Sequence, residues 1–167
     1  NSEINLFNLS KKLEDHNLNR KKNFRFILGD CCDLNLLKTQ LDKVQIDEIY
    51  HAAAYKHVGF SEENMYSLLK NNVIGTKVVL EFSLSKKIEN FTFISTDKAV
   101  NPMSVLGYTK KIGEFLVNYY SKSKICTSKM KFTVVRFGNV IGSSGSVIPL
   151  FIQQIKENKP LTVTDKN

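Results

Sequence analysis

The sequence predicts an α/β protein built on a doubly wound parallel sheet with helices on both faces. Two observations lead to this prediction. Short β-rich apolar runs alternate with longer amphipathic stretches, and neighbouring runs are far enough apart to hold a helix between them. Strands joined in this way form right-handed crossovers and a parallel sheet. Ligands of such sheets bind beyond the carboxyl ends of the strands, so the turns after the strands are the places to search for a site.

The predicted elements follow one another in regular order. The predicted strands are FRFIL (24–28), IDEIYHAAA (46–54), FTFIS (91–95) and FTVVRF (132–137). The predicted helices begin after Asp33, where leucines recur at helical spacing, and span 61–84 and 105–120. Because Pro102 disfavours helical backbone at the residue before it, we expect the last helix to begin near Met103 or Ser104.

Composition places the chain among soluble globular proteins. Its 167 residues are 42% hydrophobic and 24% charged, which fits one domain or part of one. The sequence contains no run of 18 apolar residues and no basic region followed by an apolar stretch. We therefore expect neither a membrane span nor a signal peptide in these residues, and a cytoplasmic location. Three cysteines without a C-x-x-C pair predict reduced thiols and no metal site.

The net charge of +8, from 24 Lys and Arg against 16 Asp and Glu, leaves several kinds of partner open. Nucleic acid, an anionic membrane and small phosphorylated ligands all attract a basic protein. The basic residues are scattered along the chain and are not interleaved with aromatic residues on one face. We therefore expect a solvated basic surface and no nucleic-acid partner.

The turns after the first two predicted strands each allow two interpretations. Asp30 follows the first strand and could accept a hydrogen bond from an exocyclic amine such as that of adenine, or the turn could simply precede a helix capped by Asp33. Three alanines (52–54) end the second strand. They would let a flat ligand or a pyrophosphate approach the backbone, but tight packing of a helix on the sheet predicts the same residues.

The third and fourth turns carry the groups best suited to chemistry. Asp97 and Lys98 follow the third strand and place a carboxylate beside an amine, as acid and base partners require, although a simple surface ion pair is the alternative. Three glycines and three serines within 138–146 give the fourth turn many donors and a close approach to a phosphate. No G-K-[ST] follows, which argues against a P-loop nucleotide hydrolase, and a flexible surface loop is the alternative.

Four motifs in this order and spacing carry a resemblance to a known family: HAAAYKHV (51–58), NNVIGT (71–76), ISTDKAVNP (94–102) and VVRFGNVIGSSGSVIPLF (134–151). The sequence resembles the CapD-type polysaccharide biosynthesis proteins, which are UDP-N-acetylglucosamine 4,6-dehydratases of the extended short-chain dehydrogenase/reductase superfamily. The resemblance implies a Rossmann-like fold, a bound NADP or NAD, and a lyase reaction. The cofactor would take a hydride from sugar carbon 4 and return it to carbon 6 after water leaves across carbons 5 and 6.

Matching these motifs residue by residue implies a set of roles. Thr96 would hydrogen-bond near the carbon 4 oxygen, Asp97 would be the acid for the leaving hydroxyl, and Lys98 would be the base at carbon 5. Lys110 would assist as a catalytic residue and bind the nicotinamide ribose. The other implied cofactor-binding residues are Asp30, Cys31, Ala52, Ala53, Ala54, Lys56 and Asn72. The residues implied to hold the UDP part of the substrate are Asn139, Ser143, Ser144, Gly145, Ser146 and Val147.

The chain departs from the superfamily's signature at Leu106. That signature places a tyrosine four residues before the lysine, where it takes the hydroxyl proton, and four residues before Lys110 stands Leu106. Tyr108 lies roughly 200° around a regular helix from Lys110 and would face away from it. Longer, membrane-anchored family members resemble this chain in carrying an apolar residue there, which implies that Lys98 serves as the base at carbon 4.

The resemblance also implies how much of the enzyme the chain represents. Residues 1–167 match the central part of a single NAD(P)-binding nucleotide-sugar dehydratase domain, and we expect the first strands and the C-terminal substrate part to lie outside it. No G-x-G-x-x-G occurs, so the chain alone would bind dinucleotide poorly. The implied partners are a UDP-sugar and a second copy of the protein in a homo-oligomer, with membrane attachment only through segments outside these residues.

Two alternatives stay open: a nucleotide-sugar epimerase, which Asp97 and Lys98 disfavour, and a cofactor-free binding module that kept the fold.

Overall fold

The computed structural model describes residues 2–15, 24–55, 64–140 and 147–162. The elements in chain order are α1 (Glu3–Asp15), α2 (Leu34–Leu41), β1 (Glu48–His51), α3 (Met65–Leu69), a π-helical turn (Lys70–Ile74), α4 (Gly75–Lys86), β2 (Asn90–Thr96), a 3₁₀ turn (Asp97–Ala99), α5 (Val105–Ser121), β3 (Lys131–Phe137) and α6 (Val147–Lys156). None of the helices in these ranges combines the length and the apolar composition that crossing a bilayer requires.

The three strands form a parallel sheet in the order β1-β2-β3. The register pairs His51 with Phe93 and Ser95 with Arg136. Parallel neighbours need a crossover of a dozen or more residues, and helices fill the segments between these strands. The predicted α/β class with a parallel sheet is therefore confirmed, and the carboxyl ends of all three strands lie at one edge of the sheet.

One face of β2 carries the core. Its side chains alternate, so that Phe91, Phe93 and Ser95 are buried and the residues between them are partly exposed. Helices α4 and α5 pack on the buried face, and the resulting apolar cluster consists of Val79, Leu80, Phe91, Phe93 and Val117. A buried phenylalanine contributes about 2 kcal/mol, which strongly favours this register over one shifted by a residue.

The predicted strand at 24–28 is wrong. Residues 24–30 form no regular structure, and Phe24 and Phe26 stack on each other with their ring centroids 6.4 Å apart. A β-rich run becomes a strand only beside another strand that satisfies its N–H and C=O groups, and within the described ranges no strand pairs with it. The helix after it does form, and Asp33 Oδ1 accepts from the backbone N–H of Leu36 at 2.9 Å as the predicted cap.

Strand β1 ends at His51, three residues earlier than predicted. The backbone N–H of Tyr55 donates to Asn72 Oδ1 at 2.8 Å, and Asn72 Nδ2 donates to the carbonyl oxygen of Tyr55 at 3.1 Å. These bonds turn the chain away from β2 towards the π-helical turn. The three alanines at 52–54 therefore lie just beyond the end of the strand and outside the ladder.

The helix predicted across 61–84 is interrupted. In the described part the π-helical turn separates α3 from α4, and the backbone N–H of Gly75 donates to the carbonyl oxygen of Lys70, five residues earlier. Single π-helical turns of this kind frequently occur at functional sites. The start of α5 agrees with the prediction, since Ser104 Oγ accepts from the backbone N–H of Gly107 at 3.2 Å and the helix begins at Val105.

Candidate active site

The carboxyl end of β2 carries a compact polar turn. Thr96 ends the strand and donates its hydroxyl to Asp97 Oδ1 at 2.8 Å. The same oxygen accepts from the backbone N–H of Lys98 at 2.8 Å and from Lys98 Nζ at 3.2 Å. The hydrogen bond from Thr96, followed by those from Lys98, holds the pKa of Asp97 below its usual range. Asp97 is therefore an ionised carboxylate with three donors on one oxygen.

The end of β3 approaches this turn. Asn139 Oδ1 accepts from Lys98 Nζ at 3.4 Å, which joins the ends of the two strands. A Cβ at Gly138 would lie 3.8 Å from Asp97 Oδ2, so the β3 backbone passes the carboxylate with no side chain between them. The side chains of Asp97 and Lys98 are 57% and 46% exposed. An amine, a carboxylate and an amide are thus presented together to a ligand at the edge of the sheet.

Lys110 reaches the same strand from the buried face of α5. Its Nζ donates to the carbonyl oxygen of Ile94 at 2.8 Å and lies 4.8 Å from the centroid of the Phe93 ring. Only 8% of the residue is exposed. Burial lowers the pKa of Lys110 to about 8, because the protein interior solvates the ammonium less well than water does. An amine with this pKa exchanges protons readily near neutral pH.

Asn72 connects β1, the π-helical turn and α5. In addition to its two bonds with the backbone of Tyr55, Asn72 Nδ2 donates to Thr109 Oγ1 at 3.1 Å, and Asn72 Oδ1 accepts from Asn71 Nδ2 at 3.0 Å. The residue is 1% exposed and both donor protons of its amide are used. Thr109 is the neighbour of Lys110, so Asn72 holds the helix that carries the lysine and has no donor left for a cofactor.

Leu106 and Tyr108 lie as the helical geometry predicts. Leu106 and Lys110 are both buried on the inner face of α5, whereas Tyr108 is 55% exposed. The side chain at the superfamily's tyrosine position is therefore part of the packing between α5 and the sheet. Tyr108 cannot replace the missing tyrosine without a rotation of the helix.

A family model described as "Polysaccharide biosynthesis protein" matches residues 1–167, the whole of the chain. The chain belongs to this family. The motifs at the strand ends predict the same membership, so that prediction is confirmed.

Curated relatives include polysaccharide biosynthesis proteins and UDP-glucose 4-epimerases. The capsular polysaccharide biosynthesis protein CapD of Staphylococcus aureus is 49% identical over 116 residues, which are 70% of this chain and 19% of that protein. A UDP-glucose 4-epimerase of Rickettsia bellii is 38% identical over 166 residues, which are 98% of this chain and 48% of that protein. The chain spans less than half the length of both relatives.

Solved structures confirm the fold of this family member. The X-ray structure of Pen from Bacillus thuringiensis is 40% identical and superposes with a TM-score of 0.87, covering 98% of this chain and 48% of that chain. A dTDP-glucose 4,6-dehydratase, DesIV from Streptomyces venezuelae with NAD bound, superposes with a TM-score of 0.77 over 91% of this chain and 51% of that chain. Its identity of 23% makes this a likeness of fold alone. Together they show that the sheet has the Rossmann-like arrangement.

The structure describes some of the residues predicted to bind the cofactor or the substrate. Ala52 and Ala53 are exposed directly after β1, and Ala54 is half-buried. Asp30 Oδ1 accepts from the backbone N–H of Cys32 at 2.8 Å. Cys31 packs against the apolar core, so a contact with a cofactor would have to come from its backbone. The predicted residues that lie outside the described ranges are Lys56, Ser143, Ser144, Gly145 and Ser146. Val147 is the first residue of α6, and its side chain is not described.

Asp30, Cys31 and Cys32 are the described residues that come nearest to a metal site, with candidate ligand atoms within 4.8 Å of one another. Burial raises the pKa of the Cys31 thiol, and burial followed by the hydrogen bond with Asp30 raises the pKa of Cys32 to about 12. A metal ion would have to displace both protons. Cys32 Sγ also donates to the carbonyl oxygen of Lys70 at 3.3 Å. These thiols are better suited to packing than to metal binding, and the expected lack of a metal stays a prediction.

Sequence reasoning missed three residues that support the site. Glu114 accepts from Ser95 Oγ at 2.6 Å and pairs with Arg136, whose Nη2 lies 2.7 Å from Glu114 Oε2. Ser95 lies next to Thr96 in the STDK motif, and Arg136 lies next to Phe137 in the RFGN motif. The signal available in the sequence was the position of Glu114, four residues after Lys110, which places both side chains on one face of α5.

Proposed function

We propose that the intact protein containing this chain is a nucleotide-sugar 4,6-dehydratase that acts on UDP-N-acetylglucosamine and supplies a 4-keto-6-deoxy sugar nucleotide for a surface polysaccharide or glycan. The observation that carries the proposal is the Asp97–Lys98 pair, which is exposed at the carboxyl end of β2 and held beside Asn139. An elimination needs an acid and a base on the same substrate, and this pair supplies one of each. The dehydratase reaction makes the protein a lyase.

A single proton transfer would prepare both catalytic groups. Lys98 Nζ lies 3.2 Å from Asp97 Oδ1. Moving one proton from the ammonium to the carboxylate leaves a neutral amine, able to take the proton at carbon 5, and a carboxylic acid, able to protonate the leaving hydroxyl. A bound sugar would exclude water from the pair, and loss of water favours its neutral form. Thr96 would then be available to hydrogen-bond near the carbon 4 oxygen.

The residues present suit a nicotinamide dinucleotide, NADP or NAD. Small side chains at 52–54 leave the backbone after β1 accessible, and Lys110 offers a buried amine at the end of the neighbouring strand. When bound, the cofactor would supply the hydride acceptor at carbon 4 and the hydride donor at carbon 6. Asp30, the three alanines and Lys110 would hold it, and Asn72 would position Lys110 without touching it.

An epimerase is the second candidate, and the identity with the Rickettsia UDP-glucose 4-epimerase favours it. An epimerase needs no acid and base across carbons 5 and 6, so it gives no role to the ionised Asp97 beside Lys98. Self-association of the intact protein, a cytoplasmic location and any membrane attachment through other segments stay predictions.

Turnover of UDP-N-acetylglucosamine by the intact protein tests the proposal. We expect a 4-keto-6-deoxy product, detected by mass spectrometry as loss of one water, together with the fluorescence of a bound reduced nicotinamide after treatment with a reductant. A carbon 4 epimer of unchanged mass would show that the epimerase is correct. Lack of both turnover and bound nicotinamide would favour a cofactor-free binding module.

A further inference from the structure

Glu114 joins the helix of the site to the ends of two strands. Its Oε1 accepts from Ser95 Oγ at 2.6 Å and from Arg136 Nε at 2.8 Å, and its Oε2 accepts from Arg136 Nη2 at 2.7 Å. The side chain of Glu114 is only 10% exposed, whereas that of Arg136 is 42% exposed. The pairing is therefore a two-pronged bond to an almost buried carboxylate, the geometry in which an ion pair is strongest.

The two partners of Glu114 are neighbours across the sheet. Ser95 of β2 and Arg136 of β3 stand opposite each other in the register, one residue before the strands end at Thr96 and Phe137. The segments that follow carry Lys98 and Asn139 respectively, which meet at 3.4 Å. Glu114 thus joins the two strands through their side chains, one residue before both strands end.

The same carboxylate also binds β2 beside Lys110. Lys110 and Glu114 are one helical turn apart on α5, and they bind consecutive residues of β2, Ile94 and Ser95. Two adjacent side chains therefore prevent the helix from sliding or rotating on the strand. Release of Glu114 would leave the bond from Lys110 Nζ as the remaining one of these two between α5 and β2, while Asn72 still holds the helix at Thr109.

We propose that Glu114 is a positioning residue, which holds Lys110, Lys98 and Asn139 in one geometry for the reaction. This inference rests on the proposed nucleotide-sugar function for its kinetic test, but the geometry that motivates it does not. Within the described residues Glu114 hydrogen-bonds to Ser95 and Arg136 and not to Asp97, Lys98 or Asn139. It acts through Ser95 and Arg136, whose strand ends it joins.

The test compares three variants of the intact protein with UDP-N-acetylglucosamine as substrate. Glu114→Gln keeps the size of the side chain but turns an amide N–H towards the guanidinium, so the two-pronged bond with Arg136 is lost. Arg136→Lys keeps the positive charge and also removes the two-pronged bond. Glu81→Gln is the matched control, because Glu81 likewise pairs with a cation, Lys77 at 3.7 Å, and accepts from a tyrosine hydroxyl, Tyr120 at 2.9 Å, on the same helix layer.

We expect kcat to fall about 10- to 100-fold in Glu114→Gln and about 3- to 10-fold in Arg136→Lys, with KM changed less than about threefold, since misplacement of catalytic groups slows the chemical step more than binding. Glu81→Gln should stay within about twofold of the wild type. Hydrogen–deuterium exchange should be faster at 95–98 and 136–139 in Glu114→Gln than in Glu81→Gln.

Each failure has a distinct meaning. If Glu114→Gln keeps its kcat within about twofold, or if Glu81→Gln loses as much, the positioning role is wrong while the proposed function stands. If the wild type turns over no nucleotide sugar, the proposed function is wrong. The hydrogen–deuterium exchange experiment then decides alone whether Glu114 positions the strand ends, and unchanged protection at both strand ends in Glu114→Gln overturns the inference. If Glu114→Gln does not fold, Arg136→Lys gives the same decision.

Discussion

His51 Nε2 lies 3.0 Å from Thr76 Oγ1 inside the core, and Thr76 Oγ1 in turn donates to the carbonyl oxygen of Asn72 at 2.6 Å. Thr76 has one hydroxyl proton, which this second bond uses, so His51 must be the donor and carries its proton on Nε2. A neutral histidine of defined tautomer thus ties the end of β1 to the first turn of α4. This series of hydrogen bonds continues from Asn72 to Thr109 on α5, the helix that carries Lys110.

This buried histidine predicts a pH dependence of stability. Burial, followed by the charge of Lys110, lowers the pKa of His51 to about 4 from 6.5. Between these values the unfolded chain binds a proton that the folded protein excludes, so the free energy of unfolding falls as the pH drops from 6.5 towards 4. We expect His51→Gln, which keeps a donor at the same place, to reduce this fall by roughly 1 to 3 kcal/mol.

Urea denaturation of wild type and His51→Gln at a series of pH values measures the effect. The difference in the free energy of unfolding should change between pH 4 and 6.5 and be constant above that window. A difference that is the same at every pH would show that His51 titrates normally.

Replacement of Asn72 should destabilise the protein strongly. Asn72→Ala removes the partner of the N–H and carbonyl oxygen of Tyr55 and the donor to the buried Thr109 Oγ1, whose own bond to the carbonyl oxygen of Leu106 remains. We expect a loss of about 2 to 4 kcal/mol in the free energy of unfolding, because unsatisfied buried groups are costly. Chemical denaturation measures the loss. Asn71→Ala is the control, since within the described residues the side chain of Asn71 makes one bond to the network, to Asn72 Oδ1, and an equal loss in both variants would contradict the central role of Asn72.

Gly107 and Gly113 on α5 allow activity and stability to be separated. A Cβ at Gly107 would lie 2.8 Å from the carbonyl oxygen of Lys98, whereas a Cβ at Gly113 would lie 2.5 Å from Phe93 Cζ. Each substitution by alanine should lower the free energy of unfolding by about 1 to 3 kcal/mol.

Gly107→Ala presses on the carbonyl oxygen of Lys98 in the catalytic turn, whereas Gly113→Ala presses on the Phe93 ring, so we expect Gly107→Ala to reduce turnover about tenfold more than Gly113→Ala. Thermal melts and initial rates on the same preparations provide both quantities. Equal rates at equal stability would show that the position of Lys98 is not limiting.

Lys98 should be essential for turnover as a base and not merely as a cation. We expect Lys98→Ala to reduce kcat by at least about 100-fold in the intact protein. Lys98→Arg preserves the positive charge beside Asp97 but does not lose its proton, so it should be equally impaired. Lys129→Ala removes an exposed lysine far along the chain and serves as the control. Steady-state rates decide, and either Lys98 variant within about tenfold of the wild type would disprove the assigned role.

Local patterns in the sequence predicted those features that depend on nearby residues. Asp33 caps the helix that follows it, α5 begins directly after Ser104, and the inner face of α5 contains Leu106 but not Tyr108. The polar turn at 95–98 also lies at the end of a strand, as predicted. Each of these features follows from turn chemistry or from the 3.6-residue period of a helix.

Features that depend on distant partners could not be predicted in this way. The β-rich run at 24–28 reads as a strand, but its state depends on whether another strand lies beside it. The end of β1 depends on Asn72, which captures the backbone of Tyr55 from 17 residues away. The local sequence of either segment does not indicate whether a second strand or Asn72 lies beside it.

The sequence by itself determined the α/β class, the family, and the presence of a carboxylate and an amine at the end of β2. Only the tertiary structure decided how those groups are held: three donors keep Asp97 ionised, burial lowers the pKa of Lys110 to about 8, and Glu114 joins Ser95 to Arg136. The reason is physical. Periodicity and motif spacing follow from the covalent chain, whereas solvation and hydrogen bonding depend on atoms that are brought together only by the parallel sheet and the packing of α5 on it.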